Sequence, residues 1–468
     1  MSLSRTTSFL AVARGISALL VFIATAVFTR LVTEAALGEY FLFEASIWML
    51  SLISDLGLRD AIEKRMSENE APAAVLSTGL LIKIPIVGLA TVTIIQMEPF
   101  FQTYLPRVLI GYLAIGVILH EAAFTVLTIL SGEHNPSKRA PLRIAQYITW
   151  ILVGLGLVRA GLGIEGLAIG WLAGYSVIIL FGSIIIQTRP VRPDLGRVRS
   201  LTRFGLLTSV GTMGSLSFKW ADVLLLGFFI NSSAVAYYEV AWRVSTLALL
   251  LPTAMRVAYI PEISKLYAEQ DPAQIQTLLS NSVFLTLLIP IPLTVGAGLL
   301  GGDVLAVFFG ERYRTGGLIL VILAARQAPA ALAKVFGPSI EAINRPGTAS
   351  KVVAVCVFLN IGLNVLFIPI WGAIGAAVAT TLSTTLQISV FYYLLHRIVG
   401  LQLSALQTSY PILIAALLMG MLVQVLVATV SLELPAKTLF LIGVGACTFV
   451  VTLTAHPESR SRLKSGLR

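Results

Sequence analysis

The stretch VLIGYLAIGVILHEAAFTVLTIL, residues 108–130, decides the fold. Its 23 residues carry one formal charge, Glu121, with His120 beside it. At about 1.5 Å per residue, a helix of this length reaches about 34 Å and crosses a hydrocarbon core roughly 30 Å thick. No water is available there, so each backbone polar group must be satisfied inside the helix. Comparable stretches recur and predict fourteen membrane helices, at 9–30, 39–57, 74–96, 108–130, 142–159, 164–186, 204–229, 236–258, 280–302, 316–339, 351–369, 373–395, 409–429 and 437–454. The connections are short. The longest, Arg59–Ala73, Thr188–Arg203 and Pro261–Leu279, do not read as soluble domains.

The composition agrees. Of 468 residues, 57% are hydrophobic and 12% charged, with a mean hydropathy of +0.89, whereas a soluble chain is about a quarter charged. The predicted fold class is all-α and polytopic. The basic N-terminus and the apolar run behind it resemble a signal peptide, but the run continues to about Val32 across Arg14, which is too long for one. Cys356 and Cys447 lie inside apolar runs, and the four histidines form no cluster with ligand spacing. Neither a disulfide framework nor a metal is expected, and no cofactor.

A net charge of +10 would point to nucleic acid in a soluble protein. Here the cations sit mostly in the connections, and 20 Lys and Arg fall on one side of the predicted helices against 6 on the other. Cytoplasmic loops carry that excess. A plasma-membrane protein with both termini in the cytoplasm is therefore expected.

The two halves echo each other. Leu37-Gly38-Glu39-Tyr40 matches Val235-Ala236-Tyr237-Tyr238 at an offset of 198, and Glu133-His134-Asn135-Pro136 matches Ile343-Asn344-Arg345-Pro346 at 210. Gly163-Ile164-Glu165-Gly166-Leu167-Ala168 matches Gly372-Ala373-Ile374-Gly375-Ala376-Ala377 at 209. The expected layout is a six-helix bundle over 1–200, a second over 201–400, and two further helices with a basic tail over 401–468. Repeats of an even helix number share one orientation, and their interface is the usual place for a transport site.

Further segments extend the pattern: Asp55-Leu56-Gly57-Leu58-Arg59-Asp60-Ala61, Asp222-Val223-Leu224-Leu225-Leu226-Gly227, Tyr238-Glu239-Val240-Ala241, Pro261-Glu262-Ile263-Ser264 and Phe309-Gly310-Glu311-Arg312-Tyr313. In their order along most of the chain they resemble the lipid-linked oligosaccharide and polysaccharide flippases of the multidrug/oligosaccharidyl-lipid/polysaccharide exporter superfamily. Ala236 departs from the glycine more common in that family. The resemblance implies two six-helix bundles around a central cavity, alternating access, and a polyprenyl-phosphate- or pyrophosphate-linked glycan as substrate.

Seven cations fall inside the predicted helices: Arg14, Lys83, Lys219, Arg243, Arg256, Arg326 and Lys334. A cation facing lipid costs between about 2.5 and more than 10 kcal/mol, so each must pair, reach the interface or line water. Lys219 with Asp222 and Glu239 with Arg243 have the spacing of helical ion pairs. Arg256 lies near a helix end and is expected to snorkel. Lys83, Arg326 and Lys334 have no acidic neighbour on their own helices. The expected substrate-binding residues are Arg14, Lys83, Lys219, Asp222, Arg243, Arg326 and Lys334, with Glu121 and Asp222 as candidates for ion coupling. The resemblance adds weight to Arg14 and Arg243, since its first and eighth helices carry basic residues.

A basic path suits a phosphate or pyrophosphate headgroup. Moving two negative charges outward through 100 mV gains roughly 4.6 kcal/mol, and the chain has no nucleotide-binding loop of the P-loop type. The expected function is outward flipping of a polyprenyl-(pyro)phosphate-linked oligosaccharide or polysaccharide precursor, by a transporter rather than an enzyme. A monomer is expected, with the lipid-linked glycan, membrane lipid and glycan-assembly enzymes as partners. A drug or cation antiporter of the same superfamily is the alternative, although cationic cargo calls for an acidic path. A membrane-embedded glycan polymerase or glycosyltransferase is a weaker one, lacking a large external loop or an acidic surface motif.

Overall fold

The structure is a computed structural model that describes residues 3–68, 71–402, 407–457, 459, 460 and 462. Within these, side chains are placed except at 3–11, 207, 210–217, 257 and 258. Among the described residues there is no strand. The chain divides into two compact units, residues 1–236 and 237–468. Eleven helical stretches among the described residues are long and apolar enough to cross a membrane. The chain is a multi-pass, all-α membrane protein. Large apolar side chains such as Phe358 and Ile184 are 75% and 70% exposed, as lipid-facing positions require.

The first unit holds α1 (Leu3–Leu31), α2 (Glu34–Asp55), α3 (Leu58–Ser67), α4 (Pro72–Gln96), α5 (Glu98–Phe101), α6 (Arg107–Gly132), α7 (Arg139–Leu157), α8 (Gly163–Ile185) and α9 (Val198–Phe229). The connection expected over Arg59–Ala73 is mostly helix. In α3, Leu58, Ala61, Ile62 and Met66 are buried at helical spacing, the last three packing with Leu76, Ile129 and Leu201, while Lys64 faces out. So short and amphipathic a helix has no apolar window long enough to register as a span. Between α2 and α3, Leu56 and Gly57 are left-handed (φ 47° and 73°). A Cβ at Gly57 would lie 2.0 Å from the carbonyl oxygen of Gly205, so α9 passes with its backbone against this turn.

α7 and α8 form a tight hairpin. A Cβ on Gly166, Gly170 or Gly174 would stand 2.7–2.9 Å from backbone atoms of α7 or its end. This stripe of glycines at four-residue spacing lets the two backbones meet. After α8 the chain runs extended as a strap across the ends of α4 and α6. Glu133 accepts hydrogen bonds from the amides of Gln187 (2.8 Å) and Thr188 (2.6 Å). Ser77 accepts from the amide of Val191 (2.7 Å), and Thr78 from that of Asp194 (3.0 Å).

The second unit takes in most of α10 (Ser232–Thr246), then α11 (Leu250–Ala268), α12 (Pro272–Leu287), α13 (Pro290–Phe309), α14 (Gly317–Ala342), α15 (Pro346–Val399), α16 (Tyr410–Thr429) and α17 (Leu434–Ala455). Its core is built from leucine, isoleucine and phenylalanine of α11–α17, among them Phe284, Phe336 and Phe391. The connection expected over Pro261–Leu279 is also helical, in the end of α11 and the start of α12. The single helix expected over 280–302 is interrupted, because Pro290 opens α13 at a position where its missing N–H costs nothing.

α15 reverses at Gly372 (φ 57°, ψ −134°), and Gly163 at the start of α8 has nearly the same conformation (φ 50°, ψ −124°). This region of backbone space is essentially open to glycine alone. A Cβ at Gly375 would lie 2.3 Å from the Phe367 carbonyl oxygen, so the arms of α15 also close tightly. The ends of α6 and α14 match as well. His134 and Asn344 are both left-handed (φ 56° and 63°). The amides of His134 and Asn135 bond to Ser131 and Leu130, and those of Asn344 and Arg345 bond to Glu341 and Ile340.

Candidate functional site

Each unit buries a polar cluster inside its apolar helices. In the first, the left-handed turn after α2 sets Asp55 beside Arg59, whose Nε lies 3.2 Å from Asp55 Oδ1. The Arg59 guanidinium also bonds Glu121 of α6 and lies over the Phe124 ring, 4.5 Å from its centroid. Lys83 enters from α4. Its Nζ is 2.7 Å from Glu121 Oε2, 3.0 Å from Asp55 Oδ1 and 3.0 Å from Thr125 Oγ1. Two carboxylates thus face two cations, and Lys83 and Glu121 are 3% and 2% exposed.

This corrects the reading of Lys83 as an unpaired cation. Its ammonium donates to Asp55 and Thr125 and forms an ion pair with Glu121, all within the unit. The partners come from α2 and α6, out of reach of any inspection along α4. Glu121, a candidate for ion coupling, is bridged by two cations. His120 beside it is fully buried, its Nδ1 3.9 Å from Glu121, among the rings of Trp48, Phe124, Trp171 and Tyr175. Trp48 stacks on Trp220 at 6.0 Å, and the Lys219 ammonium lies 3.7 Å from the centre of the Trp220 ring. Asp222 is fully buried one turn further along α9.

A second guanidinium, that of Arg143 on α7, also lies 4.5 Å from the Phe124 ring centre and donates to Gln146 at 3.1 Å. Arg139, one turn away, bonds Ser131 at 2.5 Å and lies within electrostatic reach of Arg143 and Arg14. Arg14 is exposed on α1. Arg59 and Arg143 count as loop cations in the sequence, and the structure brings both to one aromatic ring. An arginine one turn from a predicted span boundary was the signal available.

In the second unit, Glu239 and Arg243 of α10 form the expected ion pair, 3.4 Å apart and buried. Arg326 of α14 lies over Trp242 at 4.5 Å, and its Nε donates to Thr384 at 3.1 Å. The adjacent Gln327 donates to Ser245 at 2.9 Å. On α15, Asn360 donates to Thr380 at 2.9 Å and Asn364 to the Asn360 carbonyl at 2.9 Å. Through Trp242, Ser245 and Thr384, Arg326 and Gln327 tie α10, α14 and α15 into a polar seam. Lys334 is half-buried two turns along α14, and Arg256 is exposed on α11. The seam's amides and hydroxyls escape a reading based on charge; asparagines four residues apart in an apolar run were the visible sign.

Buried cations held by aromatic rings and polar side chains in a multi-pass helical chain suit a membrane transporter. Comparisons with known proteins agree. The family model of the lipid II flippase MurJ matches residues 143–445, and that of polysaccharide biosynthesis proteins matches residues 3–267. The chain belongs to the lipid-linked glycan flippases of the multidrug/oligosaccharidyl-lipid/polysaccharide exporter superfamily. It is 31% identical over 422 residues to the "Probable low-salt glycan biosynthesis flippase Agl15" of Haloferax volcanii, covering 90% of this chain and 89% of that one. It is 30% identical to the "Probable flippase AglR" of the same organism, over 78% of each chain. Among solved structures, the inward closed conformation of the lipid II flippase MurJ matches with a TM-score of 0.72 at 17% identity, over 95% of this chain and 97% of that one. An inward-facing multidrug transporter of the same superfamily matches at 0.66 and 16%, over 84% and 96%.

Proposed function

We propose that the protein moves a polyprenyl-phosphate- or pyrophosphate-linked oligosaccharide or polysaccharide precursor from the cytoplasmic to the outer leaflet of the plasma membrane. Transport is by alternating access, with both termini in the cytoplasm. The observation that carries this reading, beyond membership of the family, is the fixed guanidinium of Arg326. Trp242 sets its plane and Thr384 takes its Nε, a preparation suited to the paired oxygens of a phosphate. Arg243 is proposed as a further cationic contact in the second unit, and Arg14 and Arg143 as separate ones in the first. Lys219 in the first unit and Lys334 in the second are proposed as secondary headgroup contacts, each within its own unit. Lys83 would join them after release from its carboxylates. Ion coupling would run through Asp222 or Glu121, and through Glu121 it requires parting the carboxylate from Arg59 and Lys83.

The test is surface glycan export in cells that depend on this protein. Losing one charge-assisted contact to phosphate in Arg326→Ala should lower export about tenfold or more at unchanged protein level. Arg326→Lys keeps the charge without the plane and should fall between. Full export by Arg326→Ala and by Arg14→Ala would remove the proposed headgroup site.

A further inference from the structure

A groove of about 520 Å³ lies on the first unit between α4, α6 and α8. Its walls are carbon: Ile84 and Val87 of α4, Ile118 and Ala122 of α6, and Ile179 of α8. Ile84 and Ile118 are 66% and 45% exposed, so in a membrane-spanning chain the groove opens sideways onto lipid. Its floor is formed by Thr125 with Lys83 and Glu121, whose charges already cancel within the buried quartet. Nothing at that depth calls for a charged ligand.

The mouth is different. Thr188, Arg189 and Pro190 of the strap line it. Arg189 sits between two clamps, the Thr188 amide on Glu133 and the Val191 amide on Ser77. The strap thus fixes the backbone that carries this guanidinium. Its one hydrogen bond among the described residues is a long one, 3.5 Å to the Ser183 carbonyl, and no carboxylate among them pairs with it.

We infer that this groove binds a resident anionic phospholipid, one that is not transported, with a hydrocarbon chain between α4, α6 and α8 and its phosphodiester at Arg189. The match of charge favours this occupant. One unpaired guanidinium balances the single charge of a phosphodiester, whereas a pyrophosphate-linked carrier brings more charge than this mouth offers. On the orientation proposed above, the lipid belongs to the cytoplasmic leaflet. Its seat beneath the strap would tie the packing of α4 and α6 to the membrane's anionic lipid.

The full-length protein is reconstituted in vesicles of phosphatidylcholine with and without phosphatidylglycerol, and the lipids retained on extraction are counted by native mass spectrometry. The wild type should keep one phosphatidylglycerol in preference to phosphatidylcholine. Arg189→Gln should weaken that preference about fivefold, the effect of one basic residue at a membrane surface. Gly88 also lines the groove, and a Cβ there meets nothing within 4 Å. Gly88→Phe should therefore expel the retained lipid, whatever its headgroup, without altering thermal unfolding in lipid-free detergent. An unselective wild type, or an Arg189→Gln variant as selective as the wild type, overturns the proposal. Displacement of the retained lipid by an equal amount of polyprenyl phosphate also overturns it and gives the groove to the cargo. Glycan export by Arg326 variants is a separate measurement, so the two readings can fail independently.

Discussion

Removing the Lys83 ammonium probes the buried quartet most directly. Its Nζ lies 2.7 Å from Glu121 and 3.0 Å from Asp55, and the Lys83 and Glu121 side chains are 4% and 3% exposed, so water screens neither. With an effective dielectric of about 20, each attraction is worth roughly 6 kcal/mol. Desolvation of the ammonium, several kcal/mol, stands against this. Lys83→Met sheds both contributions and leaves one carboxylate without a counter-charge, for an expected net loss of about 3–5 kcal/mol. In a unit of this size the melting temperature should fall by about 6–20 °C. Combining Lys83→Met with Glu121→Gln removes the stranded charge, and Arg59 still serves Asp55, so more than half of the loss should return. Thermal unfolding in detergent, followed by tryptophan fluorescence, reads both variants; Trp48 reports locally, with its ring 4.6 Å from that of His120. A single variant melting within about 2 °C of the wild type, or a double variant no better than the single, would refute the quartet as a source of stability.

Gly372→Ala and Gly163→Ala should each cost about 1–3 kcal/mol, because both sites need a backbone conformation closed to alanine, and similar losses measured by chemical unfolding would support equivalent turns in the two halves. Glu63, on α3 outside the spans, has its carboxyl pushed above the ordinary value of 4.5, chiefly by burial and despite Arg139. The folded state then holds its proton to higher pH than the unfolded chain. The stability this contributes is complete below that ordinary value and is lost as pH rises through the raised one. Glu63→Gln should flatten that part of the pH–stability curve; an unchanged slope would contradict the burial effect.

The spans were legible because lipid imposes a requirement that local sequence must meet alone, about twenty apolar residues in a row. What went unread depends on distance along the chain or on short elements. Asp55 and Glu121 lie 28 and 38 residues from Lys83, and no rule of helical spacing links them. The amphipathic α3 and the far end of α11 were assigned to connections because polar faces lower their mean hydropathy. Arg59 and Arg143 read as orientation signals, since a positive-inside count treats every cation near a boundary alike. Glu239 with Arg243 was visible because both sit on one helix. The Trp242 seat of Arg326 was not, since it requires α10 and α14 to pack.

The strap between α8 and α9 is held through its own main chain: Gln187, Thr188, Val191 and Asp194 all give backbone amides to Ser77, Thr78 and Glu133. Every residue type except proline brings that donor. The fastening is thus indifferent to which side chains the strap displays, and its specificity resides wholly in the three acceptors. Side-chain changes along this segment leave the fastening in place, while replacing Glu133 would unfasten two amides at once.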